Sequence, residues 1–266
     1  MPHSHSHAHT HEHSRSDNTE NNRSHWDENA ATYNTRFEKT MQQVVDEIRA
    51  RTEWIGVDWI EDSFDNERAE SKQKEPKKSV RLLDYACGTG LVSRALAPYA
   101  TQCIGIDLSE GMVAEYNKSV SNQGIPESEM FARVGNLLDS NNPSPDSFSG
   151  EEFFKFDLAV VGLGFHHFDD PRFAAKQLTS RLKPGGVLFI IDFLPHEHLH
   201  QHDHPAAHTV THAGFSEAEV KEMFEEAGAG GDFEYLVVGK GIVFDGVKEN
   251  GATMKREVFM ARGSKL

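Results

Sequence analysis

Residues 80–90 read VRLLDYACGTG, and Asp107 stands seventeen positions further on. Val80, Leu82 and Leu83 form a short apolar run of the kind a buried strand carries. The run stops at Asp84 and is followed by Cys87-Gly88-Thr89-Gly90, a small-residue turn. Residues 91–99 then place Leu91, Ala95 and Leu96 at helical spacing. A strand, a glycine turn and a helix leave free backbone N–H groups and a positive helix end at the carboxyl edge of a sheet. Glycine at such a turn lets a ligand come close to the backbone. Residues 102–106 read as the second strand, with Asp107 at its tip, placed to accept hydrogen bonds from two ribose hydroxyls. The pattern predicts a nucleoside-bearing cofactor lying across the first two strand ends.

The details separate one nucleoside from another. A dinucleotide fingerprint asks for G-x-G-x-x-G/A, and here the register reads Gly88, Gly90, Ser93. No lysine follows the glycines as in a phosphate-binding P-loop. Asp84 before the turn would repel a pyrophosphate but suits a ligand carrying an ammonium and a sulfonium. D-x-x-C-G-T-G with an acid at the end of the second strand resembles the class I S-adenosylmethionine-dependent methyltransferases. Two further stretches carry the likeness. The first is W-D-E-N-A-A-T-Y at residues 26–33; the second is H-H-F-x-D-P, a helix, L-x-P-G-G and a strand over residues 166–192.

The resemblance implies an α/β, Rossmann-like, seven-stranded and mostly parallel sheet, ordered 3-2-1-4-5-7-6, with helices on both faces. It implies one domain over residues 25–266, with a helical cap and loop at 25–79 and a histidine-rich loop over the crevice at 195–213. S-adenosyl-L-methionine is the implied cofactor. The implied contacts are Tyr33, Asp84, Ala86, Cys87, Gly88, Gly90, Asp107, Leu108, Met112, Asn136, Leu137 and Gly162. Asn136 stands where the family often has an aspartate toward the adenine amino group, and its amide oxygen can still accept. Cys87 reads as a small residue chosen for space, since methyl transfer needs no enzyme-bound methyl.

Methyl transfer from a sulfonium is an in-line displacement, so the protein mainly orients its reactants. A base is needed only where the acceptor must lose a proton. His166 and His167 close the fourth strand, residues 156–161, and His212 lies at the mouth of a later loop. His167 is the candidate base, with His212 second and more an acceptor-positioning group. After the fourth strand there is no [D/N]-P-P-Y clamp, as used on amide or exocyclic nitrogens. The His- and Phe-rich mouth points by analogy to a small, partly apolar acceptor of the ubiquinone and menaquinone type. The alternatives are a protein methyltransferase, or a cofactor-holding fold that acts through a protein partner.

Composition narrows the partners. The 266 residues include 27 basic and 42 acidic ones, a formal charge of −15, which argues against nucleic acid or an anionic membrane as partner. Two cysteines give no disulfide framework. No apolar run reaches the length of a membrane span, and the amino terminus lacks the apolar core of a signal peptide. The expected compartment is the cytoplasm, with the nucleus left open. Residues 1–24, with histidines at 3, 5, 7, 9, 11 and 13, read as a disordered polar tail. Alternating histidines also fill residues 196–208, where a polar loop is favoured over a metal site. Residues 37–48 carry one apolar helix face, residues 61–79 and 141–152 read as surface loops, and Ser216 to Glu219 is a capping box.

Overall fold

The computed structural model describes residues 8–60, 78–197, 206–239, 241–244 and 253–266. The loop expected at 61–79 and the histidines at 198, 200, 202 and 204 fall largely or wholly outside them. Two strands, β1 (Arg81–Tyr85) and β2 (Gln102–Asp107), pair in parallel, Asp84 lying opposite Gly105. Asp84 therefore does not end the first strand; it is a buried residue inside it. β3 (Met130–Val134), β4 (Phe156–Gly162) and β5 (Leu182–Phe193) extend the parallel sheet on either side.

The chain then adds β6 (Gly231–Val237), a two-stranded ribbon of β7 (Ile242–Phe244) and β8 (Met254–Arg256), and β9 (Val258–Ser264). β9 inserts antiparallel between β5 and β6, giving the order β3-β2-β1-β4-β5-β9-β6. With the ribbon set aside, this is the expected 3-2-1-4-5-7-6 arrangement. Glu257 carries the chain from ribbon to sheet.

Alternation along the strands builds two cores. Leu82, Leu158, Val160 and Phe189 face one side, where they meet α2 (Glu38–Arg49), α3 (Thr52–Ile55), α4 (Leu91–Leu96) and α5 (Glu110–Asn122). Leu83, Ala159, Val161 and Leu188 face the other, against α6 (Pro171–Arg181) and α7 (Glu217–Glu226). Three of the helices begin at side-chain caps. Ser109 Oγ accepts from Met112 N–H, Asp170 from Phe173 N–H ahead of Pro171, and Ser216 with Glu219 closes a capping box.

Two expectations need correction. The insertion at 141–152 is not wholly surface: Phe148 is buried, and Arg181 Nη1 donates to its carbonyl at 2.5 Å while stacking on Phe154. Nor does disorder run to residue 24, because α1 is one helix over Ala8–Arg36. Composition alone would leave this segment unfolded, but tertiary partners hold it. Asn18 Nδ2 donates to Asp169 Oδ1 at 2.7 Å and to Thr211 Oγ1 at 3.1 Å. Asn22 Nδ2 reaches the Thr209 carbonyl at 3.4 Å. Further along, Asp27 Oδ1 accepts from Ser109 Oγ at 2.5 Å and from Gly111 N–H at 2.9 Å, pinning α1 to the start of α5.

Candidate active site

The carboxyl ends of β1, β2 and β4 open into a cavity of about 650 Å³, roofed by α1. Two non-glycine residues in the left-handed region sit on its wall, Ala86 after β1 (φ 54°) and Leu163 after β4 (φ 58°). Such backbone is costly by about 1–3 kcal/mol and gathers at functional sites. Gly88 has φ 51°, and a Cβ built on it meets nothing within 4 Å, so the turn leaves open space beside its backbone. The turn is tied to the second strand: Gly88 N–H donates to Asp107 Oδ2 at 2.7 Å, and Ser109 N–H to Oδ1 at 2.9 Å. Burial raises the Asp107 carboxyl above its ordinary pKa, while those backbone donors pull it back. Leu108 N–H is a third backbone donor to this carboxylate, which lines the cavity and, with four lone pairs in all, still has acceptor capacity for a ribose diol. The open cradle, the acid and the cavity's size fit a nucleoside cofactor.

Of the residues expected at a cofactor, Tyr33, Ala86, Cys87, Gly88, Asp107, Leu108, Met112, Asn136 and Gly162 line this cavity together. Asp84, Gly90 and Leu137 do not. Asp84 lies beneath the turn, where its Oδ2 accepts from Ser93 N–H at 3.0 Å and Ser93 Oγ–H at 2.7 Å. Burial pushes its carboxyl up to about 7, so it steadies the turn from inside rather than meeting a ligand. Gly90 starts α4 with φ 89°, and a Cβ there would strike the Tyr116 ring at 2.7 Å. Leu137 is buried, and its N–H donates to Tyr85 Oη at 3.2 Å. Tyr85 in turn donates to Asn136 Oδ1 at 3.3 Å, which also accepts from Leu138 N–H at 2.8 Å. The amide oxygen expected to face an adenine is thus already engaged. Burial drives the Cys87 thiol far up, away from nucleophilic chemistry.

The histidine pair after β4 divides. His166 is buried, its Nδ1–H donating to Asp192 Oδ1 at 2.8 Å. His167 lines the cavity, and its Nδ1 lies 2.8 Å from the Thr209 carbonyl. A carbonyl only accepts, so the neutral ring carries its proton on Nδ1 and its basic lone pair on Nε2. His212 is not brought to the cavity. It packs on Phe215 with ring centroids 5.4 Å apart, its Nε2 is buried without a partner, and burial lowers its pKa.

Sequence reading missed Trp26, Tyr85, Asn18 and Asn22, all of which line the cavity. The W-D-x-x-A-x-x-Y match included Trp26 but gave it no role. Asn18 and Asn22 lay inside a stretch dismissed on composition, and only their i, i+4 spacing could have placed them on one helix face. Among the described residues no group of three or more His, Cys, Asp or Glu could hold a metal ion, and no helix is long and apolar enough to cross a membrane.

Residues 58–230 match the family model described as a methyltransferase domain. The chain is 34% identical over 156 residues to an uncharacterized methyltransferase of Schizosaccharomyces pombe, covering 57% of this chain and 54% of that protein. It is 27% identical over 109 residues to the ubiquinone biosynthesis O-methyltransferase of Aromatoleum aromaticum, 41% of this chain and 42% of that one. This chain thus spans about half the length of the curated relatives it matches. Among solved structures, the YcgJ protein of Bacillus subtilis aligns with a TM-score of 0.54 at 19% identity, over 70% of this chain and 92% of that one; the likeness is one of fold.

Proposed function

Because the chain belongs to the methyltransferase-domain family, we propose that it is an S-adenosylmethionine-dependent methyltransferase acting on a small-molecule acceptor. The observation that carries this reading is the Gly88–Asp107 tie at one end of a cavity whose other end holds His167. The cofactor, when bound, supplies a methyl group already activated by positive sulfur. The chain's own residues position, enclose and deprotonate. Asp107 offers its remaining lone pairs to the ribose hydroxyls, and Gly88 leaves room beside the backbone. Asn136, its oxygen engaged, turns its NH₂ to the base as a donor. α1 roofs the space and keeps water from the reacting centre.

His167 Nε2 takes the proton of an acceptor O–H or N–H where one must be lost, and Thr209 holds the ring in the tautomer that allows it. Beside His167 the cavity wall also carries Asp169 and Asp170. That excess of acid disfavours a phosphate-rich acceptor and supports a small neutral or cationic one. Calorimetric titration with S-adenosylhomocysteine tests the cofactor half, where micromolar or tighter binding is expected. Mass-spectrometric detection of methyl transfer to a panel of phenols, thiols and amines, set against proteins and RNA, tests the acceptor half. Tight binding of a nicotinamide dinucleotide with none of the homocysteine analogue would reverse the reading.

A further inference from the structure

The cavity has two chemically different ends, and one side chain joins them. Tyr33 belongs to the cofactor end: it lines the wall, and the nearby Asp107 charge, after burial, helps push its hydroxyl up to about 12. His167 belongs to the acceptor end, bonded to Thr209 and beside Asp169, whose carboxylate takes the Asn18 amide. The Trp26 ring meets Tyr33 at 6.0 Å (82° between planes) and His167 at 5.5 Å (81°). It therefore stands at the seam, where a methyl group must pass from one end to the other. The seam is also where this reading puts the cofactor's positive charge, and three of the site's acids are already engaged. Asp107 is committed to the glycine turn, Asp169 to Asn18, and Asp84 is enclosed beneath the turn with Ser93. An indole presents a negative π face to a cation and, of the aromatic side chains, presents the best one.

Resting on the cofactor reading above, we propose that Trp26 is the group that recognises the cofactor's sulfonium, and so distinguishes the charged, methylated cofactor from its neutral product. The residue gives the site a preference for the loaded form over the spent one. A merely structural wall would hold both forms equally.

The test titrates the full chain, and its Trp26→Leu and Trp26→Phe variants, with S-adenosylmethionine and separately with S-adenosylhomocysteine. The ratio of the two affinities is the readout. In Trp26→Leu the ratio should shift about 2- to 30-fold against the methylated form, the range of a cation–π contact. Trp26→Phe should shift it in the same direction by less. If both affinities fall by one common factor, or the ratio stays at the wild-type value, the proposal is overturned. Should the Leu variant not fold, the Phe variant decides, an unchanged ratio again counting against it. A wild-type chain that binds neither compound refutes the cofactor reading itself, a result distinct from binding both with an unmoved ratio.

Discussion

Replacing Asp107 by alanine removes two things at once, and the geometry gives each a magnitude. Inside the protein, the N–H groups of Gly88 and Ser109 lose acceptors now at 2.7 and 2.9 Å. Leaving two buried donors unmet costs about 2–6 kcal/mol of stability, less where water enters the space. Toward the cofactor, two hydroxyls lose hydrogen bonds to a charged acceptor, each worth about 1.5–3 kcal/mol. Together these weaken binding by roughly 100- to 10,000-fold. Calorimetry with S-adenosylhomocysteine reads the second effect, and a denaturant melt of the same sample reads the first. Asp107→Asn, which keeps one acceptor oxygen, should fall between. Burial lifts this carboxyl above its usual range, so wild-type affinity should begin to fail on acidification at a higher pH than for an ordinary aspartate. An Asp107→Ala protein that is folded and binds the analogue with wild-type affinity would refute the assignment of this strand tip to the ribose.

Three further outcomes follow from the same coordinates. Burial pushes the Asp84 carboxyl of the folded chain up to about 7 from an ordinary aspartate's 3.8, so its contribution to stability is complete below about pH 4 and is lost as pH rises toward 7. The loss amounts to about 4 kcal/mol, and Asp84→Asn should flatten the stability curve across that window in urea melts at stepped pH. Asp27→Ala deletes the acceptor for Ser109 Oγ–H and Gly111 N–H; it should free α1 from α5, seen as faster amide exchange across residues 18–36 with the sheet still protected. His167→Ala should cut turnover about 100- to 10,000-fold on an acceptor that must lose a proton, with cofactor affinity unchanged; equal turnover would remove His167 as the base.

The sheet was legible because its signals are local. Strand runs, the glycine turn, Asp107 at a strand tip and the Ser216–Glu219 capping box each depend on a few neighbouring residues, and the structure has them in those places. The direction in which a side chain points within a strand was harder. Asp84 and Asp107 both read as acids at the crevice, yet the structure turns Asp84 under the turn to Ser93 and leaves Asp107 at the wall. Likewise, His167 and His212 both read as histidines beside a loop, and only packing separates the one at the cavity from the one buried against Phe215. The amino-terminal helix was illegible for a different reason. Its polar composition carries no apolar stripe, and its partners, Asp169, Thr209 and Thr211, lie some 150 to 190 residues away along the chain.

That helix also ties the traffic at the two ends together. One helix lies along the cavity, riveted at Asp27 and latched near its front by Asn18 and Asn22. The latch closes imperfectly, since Asn22 Oδ1 is buried with nothing to accept from, a penalty that swinging outward into water would relieve. A movement of this one helix would therefore open the Asp107 and His167 sides of the cavity together.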